Sequence, residues 1–354
     1  MNPEQLAALC ARIAPVDRAA AARTQALLDD KTKPRRSLGR LEDLACQLAA
    51  IRGTDKPATG PKAVVVMAAD HGVAEEGVSA YPQEVTAQMV LNFARGGAAI
   101  NVLARHVGAE VVVVDVGVRA ELPPLPQVRS CRVAPGTRNF TREPAMTRAE
   151  ALQAIGIGAR IAAELVAGGV VLIGVGEMGI GNTTSASALT SAFTGAPVEE
   201  VTGRGTGIDD AGWQRKLGAI RRGLARHLPA PEDPLATLAA LGGFEIAGLA
   251  GVVLGAATER TPVVVDGFIA SVAALAAVRF CPRVAPYLIP SHRSVEVGHR
   301  IVLHELGLRP LYDLDMRLGE GTCAALAMNL VDAAVRVLAE MATFSEAGVS
   351  DSGR

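Results

Sequence analysis

Aromatic residues are scarce in this 354-residue chain: they make up 3 % of it, with a single tryptophan. Neither sign of charge dominates, because 35 Lys and Arg stand against 36 Asp and Glu and leave a net charge of -1. Nucleic-acid binding proteins usually carry a basic excess, often with interleaved aromatic side chains. The composition therefore disfavours a nucleic-acid partner, and it offers no acidic tail or basic membrane-surface helix.

Cysteines and long apolar runs are also few. The five cysteines form no CxxC pair, which argues against a disulfide framework or a zinc site and indicates reduced thiols. The N-terminus lacks a basic-then-apolar signal. The longest uncharged apolar stretch, 246–258, is shorter than the ~20 residues that span a bilayer. We expect a cytoplasmic protein that uses neither a metal nor a cofactor.

What the chain does contain is typical of an α/β protein. Hydrophobic residues make up 49 % of it, and short β-branched runs alternate with long Ala-rich stretches after a linker at 53–62. We predict strands at 63–68, 110–116, 170–175, 262–265, 286–289 and 310–314, with a weaker one near Val201. We predict the main helices at 84–106, 148–167, 182–194, 210–228, 243–257, 268–278 and from 321 to about 341.

These elements predict a doubly wound, mainly parallel sheet with helices on both faces. Leu6, Leu9 and Ile13 recur at helical spacing near the N-terminus, and the last long helix follows the sheet region. We therefore predict an α/β domain over 61–317. Residues 1–60 together with 318–354 are predicted to form a small helical domain.

Polar side chains and glycines follow the predicted strands at their carboxyl ends. Asp70 and His71 come after the first strand, Asp266 after a later one, and Ser291 and Glu320 after the last two. Since ligands of open parallel sheets bind outside the carboxyl ends of the strands, we expect a binding cleft at this edge. The three histidines at 71, 292 and 299 are too dispersed for a metal site.

The glycine-rich loop at 174–184 is the most informative local feature. Glycines between a strand and a helix let backbone N–H groups point at a phosphate, and Asn182, Thr183 and Thr184 suit the start of the helix. The same loop contains G-x-G-x-x-G, a dinucleotide fingerprint, although Glu177 inside it would repel a pyrophosphate. A third interpretation is that the glycines only allow a tight strand–helix turn.

Two further segments carry candidate chemistry. A second glycine-rich loop, 203–207, precedes Lys216 on a helix, and together they offer a wall and a positive charge for an anion. Glu320 lies between Gly319 and Gly321 at a strand-to-helix junction. Its carboxylate either stabilises the N-terminus of the following helix through its negative charge or acts as a general base.

Taken together, these motifs resemble one enzyme family. They lie at 33–42 (KPRRSLGRLE), 68–86 (AADHGVAEEGVSAYPQEVT), 176–184 (GEMGIGNTT), 203–207 (GRGTG), 290–294 (PSHRS) and 315–321 (DMRLGEG). In this order and spacing they resemble nicotinate-nucleotide–dimethylbenzimidazole phosphoribosyltransferases, over about 30–345. One departure is Cys323, where the resemblance leads us to expect glycine or another small residue.

The resemblance implies transfer of 5-phosphoribosyl from nicotinate mononucleotide to 5,6-dimethylbenzimidazole, without a metal or a cofactor, by a homodimer. It implies that Glu320 is the general base and that Glu177 also serves catalysis at the nucleotide site. Other residues expected to bind the nucleotide and its phosphate are Gly176, Gly179, Gly181, Asn182, Thr183, Gly203, Gly205, Lys216 and Ser291. Those expected to hold the aromatic base are Ser79, Tyr81 and Gln88.

Two other functions stay open at this point. A nicotinamide-dependent dehydrogenase would use the G-x-G-x-x-G loop and would bind NAD tightly. A nucleotide-sensing module would bind a mononucleotide without turning it over. The sequence does not specify which aromatic base accepts the phosphoribosyl group, because a flat apolar pocket accepts related rings.

Overall fold

The computed structural model describes residues 1–230 and 232–350, and it contains one six-stranded sheet. The strands are β1 (Lys62–Ala69), β2 (Ala109–Gly117), β3 (Val128–Ser130), β4 (Leu172–Met178), β5 (Val263–Val265) and β6 (Leu288–Pro290). Their order is β3-β2-β1-β4-β5-β6, and each neighbouring pair is parallel. The predicted doubly wound α/β fold is confirmed.

Helices connect the strands and cover both faces of the sheet. They are α1 (Pro3–Arg12), α2 (Arg18–Asp29), α3 (Arg40–Arg52), α4 (Val85–Arg95), α5 (Ala99–Val107), α6 (Arg148–Ala167), α7 (Asn182–Thr194), α8 (Val198–Val201), α9 (Asp210–His227), α10 (Pro234–Leu241), α11 (Phe244–Thr258), α12 (Phe268–Phe280), α13 (Val297–Glu305), α14 (Thr322–Glu340) and α15 (Phe344–Ala347). Two 3-10 turns span Gly72–Glu76 and Pro282–Tyr287.

The two faces of the sheet carry separate cores because side chains alternate along each strand. In β1, Val64 and Val66 join the core beneath α3, α5 and α14, whereas Val65 and Met67 join the core beneath α6, α11 and α12. Every residue of β1 after Lys62 is buried. A central strand covered on both faces explains why its sequence is a continuous apolar run.

Helices α6 and α11 pack backbone to backbone. A side chain at Gly158 of α6 would overlap the carbonyl oxygen of Gly248, and one at Gly251 would overlap that of Ile155. The glycines that weaken helix propensity in these segments therefore allow the helices to approach closely.

The terminal segments meet on one face of the sheet. Helices α2 and α3 pack on each other and on α14, and a buried ion pair of 2.8 Å between Lys33 and Glu42 fixes the turn that joins α2 to α3. By contrast, α1 packs on α6 and α11, over the opposite face. Helix α14 is apolar and long enough to cross a membrane, but 56 % of its apolar window is buried inside the protein. The division into two domains stays a prediction.

Four predicted elements differ from the structure. Residues 310–314 form only one bridge, between Tyr312 and His292, because Pro310 has no N–H and Asp315 turns the chain away with φ +52°. The segment near Val201 is the short helix α8, which Pro197 and two first-turn glutamates favour over a strand.

Of the other two differences, one is the division of a helix and one is a shift of boundary. The predicted helix 84–106 is two helices, because Gly96 adopts φ +77° and ends α4. Of the predicted strand 286–289, the first part belongs to the turn Pro282–Tyr287. Strand β3 and helices α10, α13 and α15 were not predicted. For α10, the available signals were Asp233 at the N-cap and Pro234 at the first position.

The glycine packing between α6 and α11 predicts the effect of a single methyl group. Gly158→Ala should lower the free energy of unfolding by about 1–3 kcal/mol, because the new methyl meets rigid backbone. Gly218→Ala in α9 is the matched control, since its methyl would meet only the flexible Arg222 side chain at 3.4 Å. Urea unfolding measures both, and equal stability of the two variants would contradict this packing.

Candidate active site

The strand order reverses between β1 and β4, and polar side chains converge at that point. Ligands of such sheets bind at the carboxyl ends of the strands where the order reverses. His71 follows β1, Glu177 lies near the end of β4, and Asp266 follows β5. Glu320 precedes α14, which covers the same edge. The expected convergence of these residues is therefore found.

Glu177 is a carboxylate in a nearly closed space, with 7 % of its surface exposed. The Asn182 side-chain amide donates a hydrogen bond to its Oε2. Gly319 packs over the other oxygen, where any side chain would overlap Oε1. Gly319 is thus required for the carboxylate to lie here.

Glu320 adopts a left-handed backbone conformation, with φ +62°, between Gly319 and Gly321, both at φ +85°. Such a conformation is costly for glutamate and persists only where the surroundings hold it. The backbone N–H of Ile100 donates to Glu320 Oε2 at 3.3 Å and fixes the carboxylate.

Asp266 holds the loop that carries Glu320. It accepts the backbone N–H groups of Gly321 at 3.1 Å, Cys323 at 2.8 Å and Ala324 at 2.9 Å. These are orphan donors of the first turn of α14, so Asp266 caps this helix from a distant strand. Cys323, where the resemblance predicts glycine or another small residue, is fully buried in this first turn.

Burial dominates the ionisation of these carboxylates. Desolvation, with smaller contributions from the negative charges of Glu245, Asp266 and Glu320, raises the pKa of Glu177 to about 8. Desolvation also raises the pKa of Asp266 to about 7, although three N–H groups donate to it. Burial raises the pKa of Glu320 as well, against the opposing hydrogen bond from Ile100.

A buried lysine, Lys216, lies close to this carboxylate cluster. Lys216 of α9 is fully buried, and its Nζ donates to Thr183 Oγ1 at 2.8 Å and to the Gly203 carbonyl at 3.3 Å. Asn182 and Thr183 are consecutive at the start of α7, so one contacts Glu177 and the other Lys216. Desolvation lowers the pKa of Lys216 to about 8, and the charge of Glu296 opposes this.

Gly203 and Gly205 border an open groove of about 1310 Å³, whose wall also includes Glu296, Arg300 and Arg317. Gly205 adopts φ +53°, and a side chain there would lie 2.8 Å from Thr183 Oγ1 and 3.2 Å from Lys216 Nζ. Gly205, which has no side chain, therefore lies between Lys216 and the groove. The positive end of the α7 dipole and a buried lysine form an environment suited to a phosphate.

Comparison with known proteins agrees with this geometry. A family model described as phosphoribosyltransferase matches residues 13–349. The chain is 58 % identical over 340 residues to the nicotinate-nucleotide–dimethylbenzimidazole phosphoribosyltransferase of Roseiflexus sp. (strain RS-1), covering 96 % of each chain. It is 55 % identical to the protein of the same name from Geobacter sp. (strain M21), covering 98 % of this chain and 99 % of that one.

The chain belongs to the nicotinate-nucleotide–dimethylbenzimidazole phosphoribosyltransferase family. The crystal structure of the family member from Thermus thermophilus matches with a TM-score of 0.90 and 50 % identity, covering 95 % of this chain and 99 % of that one. Similarity thus extends over both the sheet and the terminal helices.

The phosphoribosyltransferase motif begins inside β4 and not after it, because the strand continues to Met178 where a loop was predicted from 174. The glycines of this motif have packing reasons in this structure. A side chain at Gly176 would overlap the backbone N of Gly321, and one at Gly179 would overlap the carbonyl oxygen of Ala69. Gly181 adopts φ +93° at the start of α7. Gly176 and Gly179 therefore shape the site through its backbone, and Gly181 sets the helix start.

The remaining predicted residues are only partly brought together. Ser291 is fully buried and donates to the Asp266 carbonyl at 2.9 Å. Ser79 Oγ lies 3.3 Å from Thr206 Oγ1, so its loop touches the loop 203–207, and Tyr81 beside it is 56 % exposed. Gln88 is exposed on α4, and no hydrogen bond within the described part of the chain joins it to Glu177 or Glu320.

Sequence reasoning missed three buried residues at the candidate site: Asp266, Glu245 and His71. Asp266 and His71 were recognised as lying after strands, but no role followed from that position. Glu245 lies in the first turn of α11, where an acidic residue is ordinarily a favourable helix-end charge. Only the tertiary contact of Glu245 with His71 distinguishes it from a surface residue.

The buried carboxyl of Glu177 predicts a pH-dependent stability. In the folded protein it keeps its proton up to about pH 8, whereas in the unfolded chain it loses it near 4.5. The folded state therefore binds more protons across this window, and the free energy of unfolding falls as pH rises through it.

Glu177→Gln removes this pH-dependent loss of unfolding free energy, because the amide does not ionise. Its unfolding free energy should match that of the wild type near pH 5 and exceed it by roughly 1–3 kcal/mol at pH 9. Urea unfolding at both pH values measures the difference, with Glu164→Gln on the exposed face of α6 as the matched control. A difference that is the same at both pH values would mean that Glu177 is ionised throughout.

Proposed function

We propose that this enzyme transfers 5-phosphoribosyl from nicotinate mononucleotide to 5,6-dimethylbenzimidazole, releasing nicotinate and forming α-ribazole 5′-phosphate for the lower ligand of cobalamin. The relatives named above carry both substrates in their names. The observation that carries the proposal is the pairing of two buried carboxylates, Glu177 and Glu320, with the buried Lys216 at the edge of the sheet.

The phosphate of the nucleotide is proposed to bind beside Lys216. The support is a buried lysine hydrogen-bonded to Thr183, the N-terminus of the 13-residue helix α7, and the side-chain-free wall of Gly203 and Gly205. A dianionic phosphate favours the charged form of Lys216, so the lowered pKa of this lysine rises again on binding.

Glu177 is proposed to face the ribosyl carbon. In nicotinate mononucleotide the ring nitrogen is cationic, so nicotinate leaves with a neutral ring nitrogen and needs no acid. The ribosyl carbon then becomes oxocarbenium-like, as in glycoside cleavage. A carboxylate held by Asn182 in a dry site stabilises this positive charge because it is already in place when the charge develops.

Glu320 is proposed to be the general base. One benzimidazole nitrogen attacks with its lone pair, and the ring becomes cationic, so the proton on its other nitrogen becomes acidic. Burial raises the pKa of Glu320 and makes it a better proton acceptor than an exposed carboxylate. Attack opposite the leaving nicotinate inverts the anomeric carbon from β to α.

The aromatic base is proposed to lie between Glu320 and the 79–81 loop, with Ser79, Tyr81 and Gln88 around it and Ser291 near the ribose. The exposed ring of Tyr81 and the contact of Ser79 with Thr206 support a wall formed by this loop. We also propose that the enzyme is a cytoplasmic homodimer. The exposed apolar side chains of Val295, Leu314 and Leu318 support an interface with a second copy of the chain.

The first test measures product from nicotinate mononucleotide and dimethylbenzimidazole by chromatography. Glu320→Gln should lower kcat by ~10² or more, since it removes the proton acceptor, and should leave nucleotide affinity unchanged. Glu340→Gln, at the exposed far end of α14, is the matched control. A folded wild-type protein that binds the nucleotide and forms no product would refute the reaction.

The second test concerns the phosphate. Lys216→Met should raise KM for nicotinate mononucleotide about 10- to 100-fold, because it removes a charged hydrogen-bond donor from a buried site. Affinity for nicotinic acid riboside, which has no phosphate, should change little. Lys56→Met at an exposed position is the control, and an equal loss of affinity for nucleotide and nucleoside would place the phosphate elsewhere.

A further inference from the structure

A small hydrogen-bond network joins the two sides of the proposed site, and the reaction as derived above does not use it. Thr206 belongs to the glycine-rich loop 203–207, called here the phosphate-side loop, and its Oγ1 accepts the backbone N–H of Ala80 at 3.0 Å. The same Oγ1 lies 3.3 Å from Ser79 Oγ, which accepts the N–H of Tyr81 at 3.2 Å. One threonine side chain thus connects the phosphate side with two of the three residues proposed to hold the aromatic base.

The segment 78–81, called here the base-side segment, depends on these hydroxyl groups for its conformation. Within the described part of the chain it makes no backbone–backbone hydrogen bond. Its first residue, Val78, is buried, but the N–H groups of Ala80 and Tyr81 are paired only with the hydroxyls of Thr206 and Ser79. Because backbone N–H groups require a partner, the loss of Thr206 Oγ1 leaves the N–H of Ala80 to water and frees the segment.

The phosphate-side loop is attached at its other end to the buried lysine of the site. Lys216 Nζ donates a hydrogen bond to the Gly203 carbonyl at 3.3 Å. Gly205 and Gly207 adopt φ values of +53° and +93°, which only glycine adopts readily, and they form a tight turn around Thr206. A chain of real contacts therefore runs from Lys216 through this loop to the base-side segment.

The contact between the two loops lies at the surface, where it is easily broken and easily made. Thr206, Ala80 and Tyr81 are all exposed. Hydrogen bonds between neutral groups at exposed positions contribute little to the stability of the fold, so the loops separate at a small free-energy cost. Such a contact is better suited to respond to a ligand than to hold the protein together.

A phosphate bound beside Lys216 favours the closed contact. It occupies the space bordered by Gly203 and Gly205 and restrains the phosphate-side loop, which keeps Thr206 Oγ1 in place for Ala80 and Ser79. The base-side segment then loses its freedom before the aromatic base arrives. A base that binds to an ordered segment no longer loses affinity to the entropy of ordering it.

We propose that Thr206 is a positioning residue that couples the two substrate sites: phosphate binding beside Lys216 fixes the base-side segment and raises the affinity for 5,6-dimethylbenzimidazole. This inference rests on the proposed function. By linkage the effect is reciprocal, so the bound base raises the affinity for the phosphate-bearing ligand by the same factor.

Calorimetry measures this coupling without turnover if ribose 5-phosphate replaces the nucleotide. This ligand carries the phosphate but has no nicotinate to release. In the wild type, saturating ribose 5-phosphate should lower the Kd for dimethylbenzimidazole about fivefold or more, as for a typical coupling between two sites. Ribose, which has no phosphate, should leave this Kd unchanged.

Thr206→Val removes the hydroxyl and keeps the size of the side chain, so the effect of ribose 5-phosphate on this Kd should fall below about twofold. Thr206→Ser retains the hydroxyl and should keep the effect. Thr59→Val is the matched control, since Thr59 is an exposed threonine in the linker at the opposite end of β1. An effect of equal size in Thr206→Val and the wild type would overturn the proposal.

Hydrogen exchange of the Ala80 and Tyr81 amides reports the same coupling without the base. Ribose 5-phosphate should slow their exchange in the wild type by a factor similar to the change in Kd, and should leave it unchanged in Thr206→Val. Slowing that persists in Thr206→Val would also contradict the inference.

The binding measurements separate this inference from the proposed function. A wild-type protein that binds ribose 5-phosphate and dimethylbenzimidazole independently of each other would refute the coupling alone. A folded wild-type protein that binds neither ligand would refute the proposed function, and the inference would fall with it.

Discussion

The closest approach between two backbones at the sheet edge occurs where β4 meets the loop before α14. Gly176 lies against the backbone of Gly321, and a side chain at Gly321 would lie 2.5 Å from Val64 of β1. Only glycines allow this contact, and it brings Glu177 and Glu320 to the same point. Asp266 then fixes the loop by accepting the N–H of Gly321 and two N–H groups of the first turn of α14. The position of both carboxylates depends on these few contacts.

This arrangement costs stability because it places ionisable groups where water is excluded. Desolvation moves Glu177, Asp266 and Lys216 away from their ordinary pKa values in the directions that remove charge. A site that opposes charge when empty gains most from a ligand that supplies the opposite charge. A phosphate dianion beside Lys216 and a cationic ring beside Glu177 have the required signs. The loss of stability and the proposed affinity for the nucleotide thus share one physical cause, the burial of these ionisable groups.

Local signals predicted some elements closely. Helix α6 spans the predicted 148–167 because Thr147 and Glu150 form a capping box, and α7 spans the predicted 182–194 because Gly181 and Gly195 both adopt positive φ. Local signals failed where tertiary contacts determine the secondary structure or the role of a residue. The β-branched residues near Val201 follow Pro197 into a helical turn, and Glu245 meets His71 across 174 positions of sequence. The motifs located Glu177, Glu320 and Lys216, but the groups that control their ionisation are visible only in three dimensions.

The strand order is that of dinucleotide-binding proteins, yet the site departs from theirs in a definite way. In those proteins the glycine fingerprint follows the first strand, and the pyrophosphate rests on the helix after it. Here Asp70 and His71 follow β1, and the G-x-G-x-x-G sequence begins inside β4, with only Gly179 beyond the strand. Its Gly176 is covered by Gly321, and Glu177 occupies the space beside the loop. A pyrophosphate would meet carboxylates there, whereas a single phosphate placed one helix position further, beside Thr183 and Lys216, would not. The proposed mononucleotide site thus differs from a dinucleotide site in placing the anion and the carboxylates side by side at the start of α7.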